Sequence, residues 1–195
     1  MDMLALGIYI VLSFCFSGRL ESWSSLSMYL IETVFVIWSL YYYRNRLKNF
    51  LNFPRQLLWI PIVAFFAGLF SAYGVTVIGL PVPFDVAAPE GIFLLLILAP
   101  LLEELIFRFF LWMPFEKRSK PHWAWSFTTL IFSYAHWHAV WNVPVEWHGF
   151  LAYQTLYTLM LGLGCGAMMY TFRSLGGAIL VHFAFNLGFW ITLSL

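Results

Sequence analysis

The sequence predicts an all-α protein, a polytopic bundle of about seven transmembrane helices. Of its 195 residues, 62% are hydrophobic and only 10% are charged, whereas a soluble domain carries about 25% charged residues. The mean hydropathy is +0.82. The apolar residues form long continuous runs without the alternation of barrel strands, and within lipid such a run satisfies its backbone as a helix.

Seven segments are candidates for crossing the membrane, because about 20 apolar residues in a helix span the hydrocarbon core. They are residues 3–18, 26–43, 57–80, 91–115, 121–141, 149–172 and 175–194. The first is short and ends in Ser17 and Gly18, so six crossings with an interfacial N-terminal helix is the alternative. Its leader carries Asp2 instead of a cation, which argues against a cleavable signal peptide. We predict one transmembrane domain over residues 1–195, with a motif-bearing core over 91–195.

Cations are concentrated in alternate loops. Eight of the nine loop cations fall between segments two and three, four and five, or six and seven: Arg44, Arg46, Lys48, Arg55, Lys117, Arg118, Lys120 and Arg173. The opposite loops hold Arg19 with Glu21, then acidic residues. The positive-inside rule therefore predicts a cytoplasmic N-terminus and an outside C-terminus.

Charge and cysteine content narrow the class of partner. The formal net charge is +1, so no basic surface is available to neutralise nucleic acid, and membrane lipid is the expected surrounding. Cys15 and Cys165 lie in apolar runs without metal-binding or disulfide spacing, so we interpret both as buried thiols.

A few ionisable residues lie deep in apolar sequence, where a charge costs at least ~2.5 kcal/mol. They are Glu32, Glu103, Glu104, Arg108, His136, His138 and His182. Glu104 and Arg108 are four residues apart and share a helix face, whereas Glu103 is turned by about 100°. One cation cannot neutralise both carboxylates, so one is expected to pair structurally while the other serves proton transfer. The spacing leaves open which one does which.

Segments five and seven offer polar groups with the same spacing. Phe132 and His136 are four residues apart, as are His182 and Asn186, so each pair projects from one side of its helix. If the three helices converge, a glutamate can draw a proton from water that attacks a carbonyl, while His and Asn donors hold the oxyanion. This constellation indicates hydrolysis of a peptide bond.

Other functions fit the same residues less well. Zinc could activate the water instead, with the candidate ligands Glu103, His136 and His182. No HExxH motif occurs and Asn is an uncommon zinc ligand, so we favour a reaction without a cofactor. A proton-coupled transporter is disfavoured because no repeated halves are evident. A non-catalytic membrane partner that keeps the polar cluster for structure is the remaining alternative.

Several other residues are expected to have structural roles and no part in catalysis. Glu32, alone in the second segment, is expected to bond to a neighbouring helix or lie near the outer surface. His138 is turned about 200° from the motif histidine of its segment and is expected at the membrane interface. Gly162, Gly164 and Gly166 are expected to permit close helix contact.

Three motifs follow one another on segments four, five and seven: Glu103-Glu104-x-x-x-Arg108, Phe132-x-x-x-His136 and His182-x-x-x-Asn186. Together they resemble the signature motifs of the CAAX prenyl endopeptidase and bacteriocin-processing family of intramembrane proteases, also called the Abi family. Each motif alone is weak, but three in this order within otherwise ion-free segments form a strong joint signal. The resemblance covers residues 91–195.

The resemblance implies a multi-helix membrane endopeptidase that uses glutamate-activated water. It makes Glu103 the activating carboxylate, with Glu104 and Arg108 supporting it, and Phe132 a packing residue. The groups that hold the water or the oxyanion are then His136, His182 and Asn186. It also implies a membrane-associated peptide or protein substrate, cleaved for maturation or sorting. We expect the protein in a prokaryotic plasma membrane, since the chain carries no C-terminal retrieval signal.

Overall fold

The computed structural model describes residues 2–15, 27–118 and 120–195, and within these ranges the regular secondary structure is entirely helical. The predicted all-helical class is therefore confirmed. The end of the first predicted segment, with Ser17 and Gly18, lies outside the described residues, as does the loop that holds Arg19 and Glu21.

The helices follow the predicted segments closely. In chain order they are α1 (Asp2–Cys15), α2 (Ser27–Tyr42), α3 (Arg44–Phe50), α4 (Trp59–Ile78), α5 (89–110), α6 (Met113–Glu116), α7 (Pro121–His138), α8 (His148–Phe172) and α9 (Leu175–Ser194). The name α5 covers four consecutive stretches: Pro89–Phe93, Leu94–Leu98, Ala99–Glu104 and Leu105–Phe110. The second and fourth of these are π-helical. Short 3-10 turns occupy Arg55–Leu57, Ala139–Asn142 and Val145–Trp147.

One predicted segment ends earlier than expected. Residues 91–115 were predicted as one helix, but α5 ends at Phe110, and a turn at Leu111 and Trp112 leads into α6. Pro114 lies in the first turn of α6. Proline has no amide hydrogen to continue a preceding helix but is tolerated at a helix start, which explains the break.

Three helical stretches of the described residues are long and apolar enough to cross a membrane: Arg55–Ile78, Val145–Phe172 and Leu175–Ser194. They correspond to the third, sixth and seventh predicted segments. Helix α5 is not uniformly apolar, because Glu103, Glu104 and Arg108 lie close together on it. The chain is thus an integral membrane protein, while seven crossings in one domain stay a prediction.

Helix α9 packs most extensively against α4, and the two backbones meet at glycines. A Cβ atom on Gly68 of α4 would overlap the carbonyl oxygen of Phe185, and one on Gly188 of α9 would overlap that of Phe65. Within lipid, small residues of this kind let helices approach closely and gain packing contacts. This crossing sets the position of α9, which carries His182 and Asn186.

The glycines of α8 were expected to permit close contact, and two of them do. A Cβ on Gly162 would press on Phe132, and one on Gly166 would overlap Trp125, both on α7. Gly164 has nothing within 4 Å of such an atom, so that part of the prediction was wrong. Gly164 is two residues from each of the others and is therefore turned about 200° away from both.

The basic loops meet at one end of the bundle. The Nζ atom of Lys117 lies 4.8 Å from the ring centroid of Tyr43. The Arg173 side chain pairs with Glu116 and lies 5.2 Å from the ring centroid of Phe50. These contacts join the three cation-bearing loops, as predicted. That this end faces the cytoplasm stays a prediction.

Substitution of Gly68 by alanine tests the close crossing of α4 and α9. Because the added methyl group would overlap a backbone atom, Gly68→Ala should destabilise the protein by about 1 to 3 kcal/mol. Thermal unfolding in detergent measures this. The control is Gly164→Ala, which meets no neighbour and should not be destabilised. Equal stability of the two variants would contradict the proposed importance of the crossing.

Candidate active site

Four of the six predicted site residues line one cavity. The helices α5, α7 and α9 bring Glu103, His136, His182 and Asn186 around a space of about 100 Å³, here called the central cavity. The Nε2 atom of His182 lies 3.8 Å from the Oε2 atom of Glu103. The expected convergence of the three helices is thus observed, while the chemical roles of these residues stay a prediction.

The remaining two predicted residues, Glu104 and Arg108, are buried and do not line the central cavity. Glu104 and Arg108 are both fully buried, with 0% of their surface exposed. The Nε atom of Arg108 is 3.3 Å from Glu104 Oε2, and the Nδ1 atom of His182 donates to Glu104 Oε1 at 2.9 Å. Since an ionised carboxylate only accepts hydrogen bonds, Nδ1 of His182 carries the proton and Nε2 is the atom turned toward Glu103.

Arg108 connects this pair to two more helices. Its Nη2 atom donates to the carbonyl oxygen of Gly162 on α8 at 3.3 Å, and Thr129 on α7 donates to the same oxygen at 3.0 Å. Its guanidinium lies 5.2 Å from the ring centroid of Phe132. The absence of a side chain at Gly162 leaves room for these contacts.

The structure distinguishes the two adjacent carboxylates, which the sequence spacing could not. Glu104 is committed to Arg108 and His182. The Glu103 side chain is 27% exposed, and within the described residues its Oε2 atom has no hydrogen-bond partner. Glu103 is therefore the carboxylate that is available to a molecule in the central cavity.

The irregular part of α5 anchors Asn186. The amide of Ala99 donates to the carbonyl of Leu94, five residues back, so the carbonyl of Leu95 loses its usual helical donor. Pro100, the next residue, has no amide hydrogen to offer. The Leu95 carbonyl instead accepts a hydrogen bond from Asn186 Nδ2 at 2.8 Å. π-Helical turns of this kind occur often at functional sites.

The ring of Phe132 contacts both imidazoles of the site. Its ring centroid is 5.0 Å from that of His136 and 5.8 Å from that of His182. The Nδ1 atom of His136 donates to the Phe132 carbonyl at 2.9 Å, which leaves Nε2 of His136 for other partners. His138 instead packs its ring against Phe14 and Tyr134, apart from the central cavity.

Helix α8 contributes polar groups that the sequence analysis missed. Gln154, Tyr157 and Thr158 line the central cavity. Their spacing of three and four residues places them on one face of the helix, which is the signal that could have revealed them. The Thr158 hydroxyl already donates to the Gln154 carbonyl at 2.8 Å, so it contributes mainly to local helix structure.

One group of side chains among the described residues is close enough together to hold a metal ion. Ligand atoms of Glu104, Cys165 and His182 lie within 4.8 Å of one another, with Cys165 a buried free thiol as predicted. However, Glu104 already accepts a hydrogen bond from His182, and its other oxygen lies 3.3 Å from the Arg108 guanidinium, whose positive charge opposes a cation at this carboxylate. The described ranges hold no such group made from the zinc candidates of the sequence analysis, Glu103, His136 and His182.

The two carboxylates should respond differently to truncation. Glu104→Ala leaves Arg108 buried without its counter-charge and should cost about 3 to 5 kcal/mol of stability. Glu103→Ala removes a carboxylate that faces a cavity and should cost much less. Thermal unfolding in detergent compares the two. Replacing both partners, in Glu104→Ala/Arg108→Met, should recover part of the loss. Equal loss in both single variants would argue against the structural role of Glu104.

A family model described as type II CAAX prenyl endopeptidase Rce1-like matches residues 87–188, a range that holds all three motifs. No curated protein and no solved structure matches the chain. The matched range exceeds half of the 195 residues. The chain therefore belongs to the Rce1-like family of type II CAAX prenyl endopeptidases.

Proposed function

We propose that the protein is an intramembrane endopeptidase that hydrolyses a peptide bond in a membrane-associated peptide or protein, with water activated by Glu103. Membership of the family suggests the endopeptidase activity. The observation that supports the mechanism is the separation of the two carboxylates. Glu104 is buried against Arg108, whereas Glu103 faces a cavity that His182 and Asn186 also line.

In this mechanism Glu103 is the general base. Its carboxylate accepts a proton from water while the water oxygen attacks the carbonyl carbon of the substrate. The Nε2 atom of His182, held in place through Glu104, accepts the other hydrogen of the same water. When the carbon–nitrogen bond breaks, the protonated Glu103 returns the proton to the leaving amine.

Stabilisation of the oxyanion falls to the donors around the cavity. One amide hydrogen of Asn186 is used on the Leu95 carbonyl, and the second remains for the developing negative charge. A fixed donor of this kind in a low-dielectric site stabilises the transition state more than water would. His136 faces the same cavity and serves as a further positioning group.

The substrate and the location complete the proposal. We propose cleavage for maturation or removal of a sorting signal, with membrane lipid around the helices and no metal or other cofactor. The setting we propose is a prokaryotic plasma membrane, with the N-terminus in the cytoplasm.

Substitutions at the central cavity test the assignment. Glu103→Gln, Glu103→Ala and His182→Ala should each lower turnover about 100-fold or more, because each removes the base or the group that holds the water. Mass spectrometry of membrane peptides, with active and inactive protein compared in cells, measures the loss of cleavage. His138→Ala is the matched control and should retain turnover. Near wild-type turnover in all three site variants would overturn the proposal.

A chelator titration tests the proposal that the reaction needs no metal ion. Turnover by the purified protein should persist as chelator is added and should not rise when zinc is returned, because Glu103 alone activates the water. Metal analysis of the same samples provides the control for stripping. Loss of turnover in step with the metal, and its recovery with zinc, would favour the metalloprotease alternative.

A further inference from the structure

Two larger cavities adjoin the central cavity. The first, here called the α2 cavity, has a volume of about 310 Å³. It shares three lining residues with the central cavity: Glu103, His136 and Gln154. The second, here called the Phe84 cavity, has a volume of about 210 Å³ and shares three others: Phe84, Leu95 and Ala99. The two have no lining residue in common, so the central cavity adjoins each of them through different residues.

The two adjoining cavities differ in chemistry. The Phe84 cavity is lined entirely by apolar residues: Phe84, Gly91, Leu94, Leu95 and Ala99. The α2 cavity carries the carboxylates of Glu32 and Glu103, the phenol of Tyr9 and the amide of Gln154. A chain that passed through all three spaces would therefore meet an apolar wall before the reactive carboxylate and an acidic wall after it.

Glu32 is the unexplained group of the α2 cavity. It lies on α2, outside the residues 87–188 that match the family model. Within residues 2–15, 27–118 and 120–195, no hydrogen bond or ion pair to its carboxylate is formed, and no Lys or Arg lines this cavity. The expected bond from Glu32 to a neighbouring helix is thus not formed among the described residues, while the alternative, a place near the outer surface, stays a prediction. Glu32 lies on the wall of a cavity that Glu103 also lines.

We propose that the α2 cavity receives a basic side chain of the substrate, Lys or Arg, beside the scissile bond, and that Glu32 recognises it. The inference rests on the proposed function. An acidic, partly enclosed wall with no fixed cation is complementary to a positive side chain and repels a negative one. A carboxylate within an apolar segment also calls for a partner or a function, and the substrate provides one.

The dimensions fit this use. A cavity of about 310 Å³ lies within the range of ligand pockets, about 300 to 1,000 Å³. Successive Cα atoms of a peptide are about 3.8 Å apart. With the scissile carbonyl next to Glu103, which lines both spaces, the side chain of an adjacent residue enters the α2 cavity.

The test profiles cleavage of a peptide library made by digesting a membrane proteome, incubated with the purified full-length protein in detergent. New termini identified by mass spectrometry should show Lys and Arg enriched at one fixed position beside the cleaved bond. Glu32→Gln should lower this enrichment about tenfold, because KM rises for peptides with Lys or Arg at that position. The kcat on neutral peptides should equal that of the wild type. Glu32→Lys should shift the preference to Asp and Glu. Glu146→Gln, an exposed carboxylate outside all three cavities, is the matched control and should keep the wild-type profile.

The outcomes separate this inference from the proposed function. Cleavage that depends on Glu103 but shows no basic preference in the wild-type profile would overturn the role of Glu32, and would indicate a cavity that holds only water. The wild-type profile decides this point even if the variants fold poorly. A basic preference that Glu32→Gln leaves unchanged would also overturn it. If no cleavage depends on Glu103, the proposed function itself fails.

Discussion

The site depends on one buried carboxylate. Glu104 pairs with Arg108 on its own helix and accepts a hydrogen bond from His182 on α9. Arg108 in turn donates to the backbone of α8 at Gly162. Because Glu104 and Arg108 are fully buried, these interactions act at low dielectric and are strong, and an unpaired member would be costly. Helices α5, α8 and α9 are therefore held in one relative position. Because Glu103 is turned about 100° from Glu104, the same constraint aims it into the central cavity.

Irregular backbone and small side chains make this arrangement possible. Pro100 and the π-turn before it leave the Leu95 carbonyl to Asn186, so a defect in helical hydrogen bonding becomes a fixed contact between α5 and α9. The close crossing at Gly68 and Gly188 holds the other side of α9 against α4. A regular α5 would satisfy Leu95 within the helix and leave the Asn186 amide without this anchor.

Much of the fold was predictable, because lipid permits few alternatives for an apolar chain and because ions are expensive there. The same rule, with four-residue spacing, identified four of the side chains that line the central cavity. Spacing alone could not decide between Glu103 and Glu104, since it gives their relative direction but not the neighbour that each one meets. Gln154 was missed because an amide in a membrane helix costs less than a charge and stands out less. The cavity that Glu32 lines was not predicted, because a lone carboxylate in an apolar segment gives no indication of the space it faces.

The proposed chemistry and the proposed recognition of the substrate involve different parts of the chain. Residues 87–188 hold the motifs and match the family. Helix α4, which precedes that range, positions α9 through Gly68, while Tyr9 of α1 and Glu32 of α2 line the larger cavity beside Glu103. A hydrolytic centre that attacks any peptide carbonyl gains its selectivity from the walls on either side of the reactive group, since selectivity depends on differential binding of the transition state. Under the proposed function, Tyr9 and Glu32 form part of the wall beside Glu103, so α1 and α2 would set substrate preference while the motif residues stay in place.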